Sequence, residues 1–394
     1  MEARSRRTDS RRERDLFRWT RLLADEVGPR RPTGPAERRA AALVREELRG
    51  DGLDVRLEPF EGYSTFAAPF AIGGALAIAP ALLPRRRRLA RSLLAATGAA
   101  VVLTEGSLTR TPVSDALSRR PSQNLVATIE PSGRTERTVC LVSHLDTSRS
   151  GLLFHPALLP HLQPLLGAFG AAIALQGAEP VLGASRVGRR LLGLARAGIA
   201  LGLGLLAERE LRGSDVPGAN DNASGVAVVA ELALELIESP LERTRIVALM
   251  CGCEESGMLG AEAFLRGHDT DGWLFLNFDG VGAPGRLHFL TREGVFGKLD
   301  ADPGLLRVAA ELSRRRPELG LSPNPGTIGL TYDVTRVLAR GGRALTLVSA
   351  DERGVIPNYH APSDTTDNLD PEMLERGLAA GREMLAAIDC GEAD

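Results

Sequence analysis

Apolar positions along the chain follow two different periods. Leu16, Trp19, Leu22, Leu23 and Val27 recur at helical spacing from Asp15 until Gly28 and Pro29 break the stripe. A second helix is predicted over 35–50, carried by Ala40, Ala41, Leu43, Val44 and Leu48 and ended by Gly50 and Gly52. Val55–Phe60 reads as an edge strand, a position that tolerates Pro59. Strand and helix then alternate. Strands are predicted at 124–130, 137–143, 244–251, 272–278, 286–291 and 344–349, and helices at 223–238, 257–267, 302–316, 331–340 and 370–389. Ile246–Met250 is apolar at every position, as a parallel strand covered on both faces must be. The pattern predicts an α/β fold, a three-layer sandwich with a mainly parallel central sheet.

Two blocks break this pattern. Residues 64–84 and 150–178 carry no Asp, Glu, Lys or Arg. Shorter apolar runs follow at 92–104 and, around Arg196, at 191–207. Each block is two apolar segments around a basic tip, Arg85–Arg88 in one and Arg186, Arg189 and Arg190 in the other. A membrane span takes about 17–25 apolar residues. Segments 64–84 and 156–178 reach that, and 92–104 and 197–207 reach it if Arg91 and Arg196 snorkel. The expectation is two hydrophobic hairpins, 64–106 and 150–210, giving four spans that return the chain to one side; the alternative is a helical lid. Basic tips stay cytoplasmic under the positive-inside rule, which puts the rest of the chain outside. The 14 arginines of residues 1–51, with no apolar leader, pull the other way. The remaining segments, 15–62, 122–148 and 214–390, form one discontinuous domain, with 1–14 a mobile tail.

Composition narrows the choices. A net charge of −2, from 48 basic and 50 acidic residues, argues against nucleic acid as a partner. The four cysteines, Cys140, Cys251, Cys253 and Cys390, include no CxxC pair, which excludes a disulfide scaffold and a cysteine-based zinc site. Cys251 and Cys253 read as core thiols.

Ligand sites in α/β sheets collect beyond the carboxyl ends of the strands. His144 and Asp146 follow strand 137–143, and Asp221 stands just before helix 223–238. Glu254 and Glu255 follow strand 244–251, Asp279 follows 272–278, and His360 lies ahead of the last helix. Singly each has a plain reading, such as a helix N-cap for Asp221 or a solvated helix start for the glutamate pair. Together, and directly after buried strands, they would be costly without cations. Two histidines and three carboxylates can hold two ions if one carboxylate bridges, leaving a glutamate as general base. Asp146 is placed to orient the His144 ring. His155, His161, His268 and His288 have no ligand context.

HLD at 144–146, GANDNASG at 218–225, CEESG at 253–257, NFDG at 277–280 and YHAPSDTTDNLD at 359–370 resemble, in this order, metallopeptidase family 28, the di-zinc aminopeptidases. The openings WTRLLADEVGPR and AALVREELRGDGLDV and the strand NLVATIE are similar to that family as well. The resemblance implies one Zn²⁺ held by His144, Asp221 and Asp279, and a second by Asp221, Glu255 and His360. It also implies Glu254 as general base and a peptide substrate cut at its N-terminus; the two hydrophobic blocks add membrane lipid as a further expected partner. Cobalt or manganese could use the same ligands. Carboxypeptidases and dipeptidases share this cage. A single-zinc glutaminyl-cyclase-like transferase and a non-catalytic membrane scaffold are the alternative readings. The chain departs from the family at Tyr332-Asp333, where the family has Ser-Asp, and in the 77 residues from His144 to Asp221, far more than the family uses.

Overall fold

A computed structural model describes residues 15–84, 86–108, 111–117, 119–324 and 330–394. The expected mobile tail, 1–14, and Arg85 of the first basic tip lie outside these residues. Eight strands form the central sheet: β1 (Val55–Gly62), β2 (Arg120–Ile129), β3 (Arg137–His144), β4 (Thr244–Cys251), β5 (Leu274–Phe278), β6 (Arg286–Leu290), β7 (Ser322–Asn324) and β8 (Arg343–Ala350). Their spatial order is β1-β2-β4-β3-β5-β8-β6-β7. The four central strands, β4, β3, β5 and β8, run parallel, whereas β1, β2 and β6 join by antiparallel pairing. β1 is an edge strand as its Pro59 requires, and Pro59 sits opposite Gln123.

The helices outside the two hydrophobic blocks are α1 (Asp15–Arg21, continued by a π-helical turn to Val27) and α2 (Pro35–Gly50). Within the blocks lie α3 (Ala67–Ile78), α4 (Arg88–Ser107), α5 (Leu162–Gly177) and α6 (Arg186–Arg212). The remainder are α7 (Gly225–Glu238), α8 (Leu259–Gly267), α9 (Pro303–Arg315) and α10 (Pro371–Asp389). Successive side chains of a strand point to opposite faces. Leu141 accordingly joins the core formed with α1, α2, α7, α9 and α10, while its neighbours Cys140 and Val142 join Phe264 of α8 and Val337 on the other face. The helix expected over 331–340 is confined to Thr335–Leu338, and β7 was not foreseen.

The four helices α3 to α6 pack on one another around Ala77, Ala99, Val102, Ile173 and Ile199. Small residues permit this approach: a Cβ on Gly98 would lie 2.2 Å from the backbone nitrogen of Ala77. Among the described residues only α4 and α6, of 20 and 27 residues, are long and apolar enough to cross a membrane. α5 has 16 residues and α3 ends in a 3-10 turn at Leu82, short of the roughly 20 a span takes. The expected four spans are therefore corrected to two candidates. The charge-free stretch before α5 is spent on 3-10 turns at Leu152–Phe154 and Leu159–His161, not on helix.

The expected snorkelling of Arg91 and Arg196 is also replaced. Both guanidiniums pair with the buried carboxylate of Glu179, Arg91 at 2.6 Å, and Arg196 Nε donates to Gln176 Oε1 at 3.0 Å. One glutamate between the blocks thus neutralises a cation from each. Removing one member of a buried ionic group costs about 3 kcal/mol because the others stay buried without it. Glu179→Ala should therefore lower the thermal unfolding midpoint of the detergent-solubilised chain clearly, and an unchanged midpoint would refute this pairing.

Candidate metal centre

The parallel strands deliver their following residues to one edge of the sheet. His144 ends β3 beside Cys251, which ends β4; Asp279 follows β5, and Asp221 sits at a non-helical kink in Ala219–Ser224, the segment that leads into α7. His360 comes from the loop between β8 and α10. His144 Nε2 lies 3.1 Å from Asp221 Oδ1 and 3.4 Å from Asp279 Oδ2. His360 Nε2 lies 3.2 Å from Asp221 Oδ2 and 3.3 Å from Glu255 Oε1. The ligand atoms form two groups, His144–Asp221–Asp279 and Asp221–Glu255–His360, each within 4.8 Å, and Asp221 belongs to both. All five residues are buried. Glu254 stands in neither group, with Oε2 4.0 Å from His144 Nε2.

A layer of main-chain hydrogen bonds fixes these side chains. The Asp146 carboxylate accepts the backbone N–H groups of Glu254 and Glu255, both at 3.0 Å. It is the Asp146 carbonyl that lies 3.2 Å from His144 Nδ1; the carboxylate is 3.7 Å away. Asp364, unassigned from the sequence, accepts the N–H groups of Asn220 and Asp221 at 2.7 and 3.0 Å. Glu37 of α2 accepts the Cys253 N–H at 2.9 Å. Asn222 Oδ1 accepts from Gly225 and from Gly280, tying the start of α7 to the Asp279 loop. Buried Arg30 donates to the carbonyls of Leu23, Gly28, Leu145, Pro217 and Gly218, joining the loops behind His144 and Asp221. Gly218, at φ +63°, has no alternative residue: a Cβ there would sit 2.3 Å from Thr147. Cys253 and His360 are themselves left-handed, at φ +58° and +51°, a conformation that concentrates at functional sites.

His360 has a second support. Its Nδ1 is hydrogen-bonded to Ser148 Oγ at 3.0 Å, and Arg209 Nη2, from the last turn of α6, donates to the same oxygen at 3.1 Å. The Arg209 guanidinium also lies 4.5 Å over the Phe66 ring. Ser148 and Arg209 were missed. The only signal was a basic residue at the end of an apolar run.

The electrostatics describe an excess of buried negative charge. Burial pushes the Glu254 carboxyl well above the usual range, and Glu255 and Asp333 reinforce it against the opposing pull of His144. Burial likewise raises Asp279, and it raises Asp146 to about 6. Burial alone would lower His360, yet Glu255 and Asp221 outweigh it and hold the ring at about 9. Asp221 goes the other way, below the usual carboxylate range, because hydrogen bonds from His144 and His360 outweigh its burial. Among the described residues no Arg or Lys pairs with Asp221, Glu254, Glu255 or Asp279, and buried Glu255 Oε1 has no hydrogen-bond partner. Nitrogen and oxygen donors arranged this way suit zinc. The other histidines stand in neither group: His268 bonds Glu58 at 2.9 Å, and His288 bonds Ser322 at 3.1 Å.

A cavity of about 400 Å³ lies over the centre. The helical layer supplies much of its wall, through Phe66 before α3, Phe169 of α5 and Leu205 of α6, and Phe154, Phe296 and Tyr359 add aromatic surface. Tyr332 also faces it.

Residues 206–383 match the sequence profile of Peptidase family M28. A Mycobacterium tuberculosis protein named probable lipoprotein aminopeptidase LpqL is 27% identical over 184 residues, which cover 40% of this chain and 37% of that protein. The match thus spans well under half the length of that relative. The fold is similar to a zinc aminopeptidase from Bacillus subtilis, with TM-score 0.56 and 15% identity over 95% of this chain and 94% of that one. A glutaminyl cyclase from Bacteroides thetaiotaomicron shares it at TM-score 0.53 and 14% identity, over 94% and 96%. These structural likenesses bear on the fold alone. The matched segment holds Asp221, Glu254, Glu255, Asp279 and His360, and over that segment the chain is similar to peptidase family M28.

Proposed function

We propose that the chain is a membrane-associated zinc exopeptidase that removes N-terminal residues from peptides. The observation that carries this reading is the pair of ligand groups meeting at Asp221, with Glu254 beside them and in neither. His144, Asp221 and Asp279 would hold one ion, and Asp221, Glu255 and His360 a second. When bound, such ions supply Lewis-acid activation of water and of the peptide carbonyl. Glu254 takes the proton of the attacking water and returns it to the leaving amine. Burial raises its affinity for a proton, the direction a general base needs. Asp146 holds Glu254 and Glu255 through their N–H groups, so the base and a ligand keep a fixed relation. Phe154, whose ring is 4.3 Å from that of His360, shields the centre from bulk water.

Membrane association rests on the helical layer. α6 is apolar over most of its 27 residues and largely uncovered, and Leu82, Leu89, Val181 and Leu194 are exposed around it. The glutaminyl-cyclase alternative shares the fold and differs in holding one zinc, so ion count separates the two.

Three outcomes test this reading. The purified chain should contain about two zinc ions, and Asp221→Ala should release both because each group uses that carboxylate; one ion in the unaltered chain, with cyclisation of N-terminal glutamine, would favour the cyclase. Glu254→Gln should keep both ions and lose about 10²–10⁴-fold in kcat on peptides with free N-termini; full activity would remove Glu254 from the mechanism. On fractionation the chain should sediment with membranes through an alkaline wash, and recovery in the soluble fraction would refute the association.

A further inference from the structure

The exposed surface of α6 is not uniform. Val187, Leu191, Leu194, Gly198, Leu201 and Leu205 recur at alternating steps of four and three residues, the spacing of one continuous helix stripe. Its first half lies outside the cavity, with Val187 68% and Leu194 72% exposed. Its second half, from Gly198 through Leu201 to Leu205, lines the cavity over the metal centre. Leu201 does both: it is 67% exposed and lines the cavity. Opposite, Leu165 and Ala168 of α5 are also exposed and also line it. At the residues next to Leu201 and Ala168 the two helices touch, since a Cβ on Gly202 would meet the Phe169 ring at 2.8 Å. At Gly198, by contrast, a Cβ would meet nothing within 4 Å. The cavity therefore opens sideways between α5 and α6, and an apolar stripe runs from that opening out over the helical layer.

A soluble substrate needs no such stripe, and an exposed run of leucine and valine is unfavourable in water unless something apolar lies against it. We propose that the stripe and the opening admit the substrate: a peptide whose residues just beyond the N-terminus are apolar and partition into the bilayer, drawn laterally between α5 and α6. The inference rests on the aminopeptidase reading and adds the class of peptide and its route. The first residue lies at the metal centre, and the following apolar residues lie along Leu205, Leu201 and Leu194. The cavity is also lined by Ser114, Thr111 and Arg336, polar groups that would not hold such a segment.

The test uses the full chain, zinc-loaded, in phosphatidylcholine vesicles. Two hexapeptides share their first two residues, Leu-Ala, and differ in an apolar or a serine-rich remainder; leucine p-nitroanilide reports basal turnover. The apolar peptide should be cleaved with kcat/KM about tenfold higher or more, as burial of even one leucine supplies that factor. Gly198→Phe, at a position where an added Cβ meets nothing within 4 Å, should abolish the preference. Leu211→Asp, exposed but off the stripe, should leave it. A benzophenone at the third residue of the apolar peptide should cross-link to 194–205 in the unaltered chain, a readout that needs neither turnover nor a variant. Hydrolysis of the nitroanilide with equal kcat/KM for both peptides, or cross-linking at 111–116, overturns the lateral route alone. No hydrolysis of any of the three overturns the aminopeptidase reading, and this inference with it.

Discussion

The structure is organised around the cost of burying acids. Asp146, Asp221, Glu255, Asp279 and Asp364 are all buried at one edge of the sheet, with Glu254 at its margin. Buried carboxylates are tolerable only when hydrogen-bonded or neutralised. The fold meets this in two ways. Asp146 and Asp364 are spent on backbone N–H groups, and in doing so they fix the chain on either side of the ligands. The others are left facing two imidazoles, and the shortage of positive charge among them is what a pair of divalent ions would make good. Arg30 satisfies a complementary need, taking up loop carbonyls that strand ends and turns leave open.

This division explains which residues could be found in the sequence. His144, Asp221, Glu254, Glu255, Asp279 and His360 each stand just past a strand or in the loop before a helix, and the parallel sheet needs no further information to gather them. The sandwich itself was legible in strands such as Ile246–Met250 that are apolar on both faces. Asp364, Glu37 and Arg30 were not assigned, because the bonds that tie them to the site reach main-chain groups 115–216 positions away, and nothing local distinguishes them from surface charges. Asp146 was found but its role was exchanged: its carboxylate holds two amides and its carbonyl meets the ring.

The hydrophobic blocks show the limit of counting apolar residues. A charge-free stretch gives an upper bound on helix length, because turns are charge-free too. Residues 150–161 are spent on turns around Pro156 and Pro160, so α5 starts only at Leu162. Arg91 and Arg196 looked like residues bound for the membrane interface, yet each found Glu179. Seen with this pairing, the blocks are one helical layer with its own small polar interior, and the peptidase sheet carries that layer as a roof.

The contact between roof and floor has a practical side. Arg209 belongs to the apolar block by sequence and to the environment of His360 by position, through Ser148. Excising the block would also excise a side chain that steadies one of the candidate ligands. A shortened version would therefore have to retain the final turns of α6, and the boundary between the apolar block and the sheet domain falls inside a single helix.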